Sequence, residues 1–166
     1  APSAQQIQRG GFNHAFPDPF DPRWERVLRE QVRATVATVK GKPYFIAWFA
    51  DNEREHRELH RYVWSPNAAA AFRAMLERRH KTIAALNKAW GADFVSFDDL
   101  AARKPEPAAR GNSMYQDYDA FRRELLRRYN EILLRVIREE DPGRLVFTNR
   151  FMIGEGRDLL DNLDLY

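Results

Sequence analysis

Pro43-Tyr44-Phe45-Ile46-Ala47-Trp48-Phe49-Ala50-Asp51-Asn52-Glu53 is the stretch on which the fold turns. Residues 44–50 form an unbroken apolar run of strand length that stops abruptly at three polar residues. Continuous rather than alternating hydrophobicity is what a strand covered on both faces requires, as in a parallel sheet. Residues 44–50 are therefore expected to form a buried strand with Asp51-Asn52-Glu53 at its C-terminal exit.

Upstream, the stretch to Phe20 holds Gly10-Gly11, Pro17 and Pro19 and reads as loop. Asp21-Pro22 then supplies a helix N-cap followed by proline at the first helical position. Trp24, Val27, Leu28, Val32, Val36 and Val39 recur at three- and four-residue steps up to Gly41 and Pro43, one buried stripe on a helix of about five turns. Downstream, 54–64 is polar with scattered aromatics and reads as a long loop or short irregular helix. Ser65-Pro66 repeats the cap-plus-proline signal for a helix carrying Ala70, Phe72, Met75 and Leu76, and Thr82 caps a short one with Ile83, Leu86 and Trp90 before Gly91. Asp98-Asp99-Leu100 lies just beyond it. Residues 103–113, with Pro105, Pro107 and Gly111, form a flexible connection. Residues 117–140 make the longest helix, with Tyr118, Phe121, Leu125, Tyr129, Ile132, Leu133, Val136 and Ile137 inward, stopped by Asp141-Pro142-Gly143. Leu145-Val146-Phe147-Thr148-Asn149 reads as a second buried strand, 157–160 as a short helix, and Leu163-Asp164-Leu165-Tyr166 as the start of a third strand. This alternation implies right-handed βαβ crossovers and an α/β fold with a parallel sheet. Three strands leave open edges, so the chain reads as one domain spanning 1–166 that is an arc of a larger sheet or barrel.

Composition narrows the classes. The 166 residues are 44% hydrophobic, 31% charged and 13% aromatic, the profile of a globular chain, with aromatics enough to stack on flat apolar faces such as sugar rings. Twenty-seven basic residues against 24 acidic ones give a net charge of only +3, mostly alternating along helices, which argues against a nucleic-acid surface. There is no cysteine, so disulfides, thiolate metal sites and a thiol nucleophile are out, while the compartment stays open, secretion or a periplasmic parent included. No apolar run approaches the roughly 20 residues that span a bilayer, and residues 1–11 lack the basic start and apolar stretch of a targeting segment. No membrane partner is expected.

In parallel α/β architectures the working groups sit at the C-terminal ends of strands. Asp51-Asn52-Glu53 occupies that place. A carboxylic acid beside a buried aromatic strand loses hydration, which raises its pKa toward the range of a general acid. Asn52 can donate and accept hydrogen bonds without adding charge, and Asp51 can be structural. Taken alone, the triplet reads more readily as a polar strand exit, since such residues are common after any strand.

Four ordered motifs go further. Phe16-Pro17-Asp18-Pro19-Phe20-Asp21-Pro22, residues 43–53 with their closing Asp51-Asn52-Glu53, Leu86-Asn87-Lys88-Ala89-Trp90-Gly91 with Ser96-Phe97-Asp98-Asp99-Leu100, and Asp141-Pro142-Gly143-Arg144-Leu145 running to Arg150-Phe151 together resemble the clan of retaining (β/α)8-barrel glycoside hydrolases. The similarity is closest to its β-agarase and β-galactosidase branches. The resemblance implies a partial TIM barrel, roughly strands four to six with their helices, short of the roughly 250 residues of a complete barrel. It implies that Glu53, ending the fourth strand, is the general acid/base, that Asn52 contacts the hydroxyl beside the anomeric carbon, and that the nucleophile is a glutamate ending a seventh strand absent from this chain. The substrate it implies is an oligosaccharide or polysaccharide joined by β-galactoside or agar-type bonds. A retaining mechanism needs two carboxyl groups about 5 Å apart, so the chain alone is expected to be inactive. The other reading is a non-catalytic carbohydrate-binding or scaffolding module that kept the barrel motifs.

Other residues compete for roles. Arg150 follows the second strand and so shares the rim expected for Glu53, where it either meets substrate or pairs with a buried carboxylate. Trp64 is a candidate sugar platform, whereas Trp90 and Trp48 fall on core spacings. His14 lies in a loop that can reach a sugar cleft, and His80 has no evident partner. His56 and His60 stand four apart around Glu58, but the pattern is not that of a metalloprotease, and a solvated loop is favoured over a metal site. Gly154-Glu155-Gly156 lacks the spacing and lysine of a phosphate cradle, and no Gly-x-Ser-x-Gly elbow is present. No metal or cofactor is expected, and nothing fixes the oligomeric state.

Overall fold

The computed structural model describes residues 17–50, 63–107 and 111–147. In chain order they form α1 (Pro22–Val39), β1 (Ala47–Phe49), α2 (Pro66–His80), α3 (Ile83–Trp90), α4 (Phe97–Arg103), α5 (Ser113–Glu140) and β2 (Leu145–Phe147). The chain divides into two compact units, Ala1–His56 with Leu126–Tyr166, and Arg57–Leu125.

The first unit holds the strands. Asp21 caps α1 as its sequence indicates, its carboxylate accepting from the Arg23 amide at 2.8 Å, with Pro22 in the first turn. Trp24, Val27, Leu28 and Val32 are buried, and Trp24 stacks on Tyr129 of α5 at 5.8 Å between ring centroids. Tyr129, Ile132, Leu133, Val136 and Ile137 supply the matching stripe on α5. Each such side chain removed from water stabilises the pairing by roughly 1.5–3 kcal/mol before entropy is counted. Arg29 reaches Glu25, Glu139 and Glu140 at 3.1, 2.6 and 2.7 Å, and Arg33 reaches Glu140 at 2.7 Å, so charges line the same pairing. Helix α5 stops where Asp141-Pro142-Gly143 requires it to, with Gly143 at φ +87°, a conformation that side chains resist.

Strands β1 and β2 run parallel, with Ala47 opposite Leu145, Trp48 opposite Val146 and Phe49 opposite Phe147. The parallel pairing agrees with the crossover argument. The expectation of strands covered on both faces does not hold for the described residues, where Phe49, Leu145 and Phe147 are 55%, 64% and 55% exposed. Successive side chains point to opposite faces, so Trp48 and Val146 share the more covered face, while Phe49, Leu145 and Phe147 share the open one. A continuous apolar run states that both faces are greasy; it does not state that both are packed. The regular strands are also shorter than the apolar runs that predicted them, and Tyr44 and Ile46 are exposed ahead of β1.

The second unit is helical. Ser65 precedes α2 in extended conformation with Pro66 in the first turn, although its hydroxyl makes no capping bond. Thr82 caps α3, accepting from the Ala85 amide at 3.2 Å, and Gly91 ends that helix in the left-handed region. Helix α4 is a feature that the sequence reading passed over. Ser96 accepts from the Asp99 amide at 3.0 Å while Asp99 accepts from the Val95 amide at 3.1 Å, a reciprocal cap that suffices for seven residues. Helix α5 begins at Ser113 rather than at Asp117, because Asn112 is the cap: its side-chain oxygen accepts from the Tyr115 amide at 2.7 Å. Phe72, Leu76, Leu86, Leu100, Tyr118 and Phe121 form the core of this unit.

Candidate active site

Because β1 and β2 are parallel and in register, their C-terminal ends lie at one edge of the sheet, and pairing persists one residue further through the Ala50 amide bonded to the Phe147 carbonyl at 2.9 Å. In sequence, Asp51-Asn52-Glu53 follows Ala50 and Thr148-Asn149-Arg150 follows Phe147. The described backbone thus ends, at Ala50 and Phe147, on the edge at which parallel sheets carry their chemistry. Glu53, Asn52, Arg150 and His14 themselves lie outside the described residues, as do His56, His60 and Glu155.

The strands are held from below by side chains. The Trp48 indole Nε1 donates to the Asp141 carboxylate at 2.9 Å. Arg144 Nη1 donates to the Phe45 carbonyl at 2.6 Å, and its guanidinium lies over the Phe45 ring, 5.4 Å from the centroid. Trp48, expected in the core, is half-buried and carries this bond. Asp141 and Arg144, read as a helix stop and part of a motif, also touch each other at 3.8 Å.

Trp64, the candidate sugar platform, precedes α2 in a helical turn and is half-buried. Its ring stands edge-on to Phe72 at 5.7 Å and to Tyr118 at 6.3 Å, so its plane is set by the helical core. The Tyr118 hydroxyl donates to the Pro105 carbonyl, and burial pushes its pKa up.

Sequence reasoning missed one buried polar cluster. Asp117, 1% exposed, receives the Trp90 indole Nε1 at 2.7 Å, lies 2.8 Å from His80 Nε2 and pairs with Arg79 at 3.0 Å. His80, expected to lack a partner, is therefore tied to a carboxylate 37 residues away. No local pattern announces a pair at that separation. Trp90 does pack as its spacing indicates, against Phe94 and Tyr118. Among the described residues no group of three or more His, Cys, Asp or Glu could hold a metal ion, and no helix is long and apolar enough to cross a membrane.

Two parallel strands joined through helices make an α/β arrangement, and solved glycoside hydrolase structures share it. A crystal structure of an agarase superposes with a TM-score of 0.71 at 25% identity, covering 83% of this chain and 22% of the agarase. An exo-β-agarase structure gives 0.72 at 23% identity over 89% of this chain and 22% of its own. A β-galactosidase from the psychrophilic Marinomonas ef1 gives 0.57 at 24% identity over 87% of this chain and 22% of its own.

The family model of the glycoside hydrolase 42 β-galactosidases matches residues 6–165, and the chain belongs to that family. Among its relatives, the β-galactosidase BbgII of Bifidobacterium bifidum is 30% identical over 86% of this chain and 21% of its own length. The β-galactosidase Bga of Halorubrum lacusprofundi is 33% identical over 74% of this chain and 18% of its own. The β-galactosidase of Thermus thermophilus is 32% identical over 76% and 21%. The chain thus spans about a fifth of the length of these curated relatives.

Proposed function

We propose that this chain is the acid/base-bearing part of a retaining β-glycosidase acting on β-galactoside or agar-type bonds, with Glu53 as the proton donor. The observation that carries the reading is the family match across 6–165, which includes Asp51-Asn52-Glu53, one residue beyond the parallel strand β1 in sequence. In this reading residues 44–50 are the fourth strand of a (β/α)8 barrel, 145–149 the fifth and 163–166 the start of the sixth. Glu53 protonates the departing glycosidic oxygen while a second carboxylate attacks the anomeric carbon; Glu53 then deprotonates the water that releases the sugar. Asn52 orients the hydroxyl next to the anomeric carbon. The attacking carboxylate comes from a seventh strand that these 166 residues do not include, so the chain alone turns nothing over.

The test compares the chain with the full-length polypeptide on aryl β-galactosides and agar oligosaccharides. The full-length protein is expected to hydrolyse one of these with retention. Glu53→Gln is expected to lower its turnover by about 100- to 10,000-fold, the usual share of a positioned general acid, while substrate still binds. Wild-type turnover by Glu53→Gln would overturn the assignment, and a full-length protein that binds sugar without cleaving it would make the domain a binding module.

A further inference from the structure

The Trp48, Asp141, Arg144 and Phe45 cluster has a geometry that ladder hydrogen bonds alone do not explain. Each regular strand is three residues long, too short for its pairing to fix a register strongly, and the open face gives little packing to add. Yet β1 is gripped at two points by the segment that leads from α5 into β2. Asp141, the first residue after α5, takes the indole hydrogen of Trp48 in the middle of β1 at 2.9 Å. Arg144, immediately before β2, holds the Phe45 carbonyl at 2.6 Å, two residues before β1, and covers the Phe45 ring. Pro142 and Gly143 form the turn between these two anchors, with Gly143 at positive φ. The Asp141 and Arg144 side chains are only 17% and 31% exposed, so water competes weakly for either bond.

We propose that this cluster is a register clamp, and that Trp48, Asp141 and Arg144 are positioning residues for the acid/base that follows β1. The inference rests on Glu53 being that acid/base. A slip of one residue along β1 would carry everything beyond Ala50 by about 3.3 Å and turn alternate side chains to the opposite face. That exceeds the heavy-atom reach of roughly 2.6–3.2 Å within which a general acid must meet its oxygen. Even displacements near 1 Å are costly to catalysis. The two anchors hold the middle residue of β1 and the carbonyl two residues ahead of its start, which opposes sliding of the strand along its partner.

The leaving group makes the idea testable. A dinitrophenolate departs without a proton, whereas a phenolate needs one, so a displaced acid harms only the second reaction at the glycosylation step that kcat/KM reports. In the full-length enzyme, Trp48→Phe, which removes one donor and keeps the ring, and Arg144→Met are expected to lower kcat/KM on phenyl β-galactoside by about tenfold. On dinitrophenyl β-galactoside they should stay within about twofold of the wild type. Asp141→Asn, which keeps an acceptor oxygen, should lose less on the phenyl substrate than Asp141→Ala. Glu53→Gln serves as the reference. If it shows no split between the two substrates, the acid/base reading fails whatever the clamp does. If it shows the split and the clamp variants do not, losing both activities equally, losing neither or failing to fold, the clamp is overturned.

Discussion

The two units differ in how many large apolar side chains they leave open. In the helical unit one carboxylate is enclosed, Asp117 bonded to Trp90 and His80, while pairs such as Arg73–Glu77 and Arg103–Asp93 lie at the surface around a core built on Phe72, Leu76 and Phe121. In the strand unit the ion pairs of Arg29, Arg33 and Arg135 lie along half-exposed helix flanks, while Tyr44, Ile46, Phe49, Leu145 and Phe147 stand in the open. Stability in the first therefore rests on burial and on the bonds that tie Asp117 to Trp90 and His80. In the second it rests on the α1–α5 stripe, and the strands depend on a few directed bonds.

Phe72→Ala measures the burial side directly. The ring is fully buried against Tyr118 at 4.8 Å and Phe121 at 5.0 Å, so its removal leaves a cavity and should cost about 3–5 kcal/mol. Phe147→Ala removes an equal ring from the open sheet face and should cost less than about 1 kcal/mol. Urea unfolding followed by far-ultraviolet circular dichroism reads both values; equal losses would show that the open face is in fact packed and would erase the contrast.

The buried charge gives the next effect. Asp117→Ala orphans the Trp90 indole hydrogen and the His80 nitrogen and leaves Arg79 to water, which at 47% side-chain exposure it can reach. A cost of about 2–3 kcal/mol follows from the two unsatisfied groups. Asp117→Asn keeps an acceptor and should recover at least half of the loss in the same unfolding measurement. A neutral Asp117→Ala would mean that the cluster is solvated.

These residues also mark where the sequence was legible. Helix α1 was readable because cap, proline, stripe and stop are all local, with Asp21, Pro22 and Gly41 where such signals fall in any helix, although Val36 and Val39, read as the end of the buried stripe, are only half-buried. The parallel pairing was readable from the order of elements. The start of α5 was not, because Asp117 has the chemistry of a cap and Asn112 competes for the role; only the occupied carboxylate, buried under Arg79, His80 and Trp90, shows that it is spent elsewhere. Helix α4 did carry a signal in Ser96-x-x-Asp99, but at seven residues it has no stripe to support it. The exposure of Phe49 and Phe147 could not be read at all, since hydropathy says what a face wants and not what covers it. For the candidate site, the polar residues after β1 were visible in sequence, whereas Asp141, read as a helix stop, and Arg144, read as part of a motif, make contacts to Trp48 and Phe45 that no local pattern announces.

The smallest effect belongs to the ion pairs of the strand unit. Hydrogen bonds from Arg33 and Arg29 hold the Glu140 carboxyl below its usual range. Burial pushes Glu25 up, but its bonds to Arg29 and Arg135 outweigh this and leave it lowered as well. A carboxylate with a depressed folded-state pKa stabilises the fold at pH values above its unfolded pKa, about 4.3, and that stabilisation disappears as the pH falls through the lower, folded value. Arg29 joins both carboxylates, so Arg29→Met should flatten part of the decline of the thermal midpoint between about pH 5 and pH 3, leaving the slope that Arg33 on Glu140 and Arg135 on Glu25 still provide, together with that of Asp21, held low by Arg23, and of Asp119, held low by Arg122 against its burial. Roughly 1 M salt should narrow the difference between wild type and variant, because these flanks are open to counterions. An acid slope unchanged by Arg29→Met would remove the electrostatic half of the contrast and leave the α1–α5 stripe alone holding the two helices together.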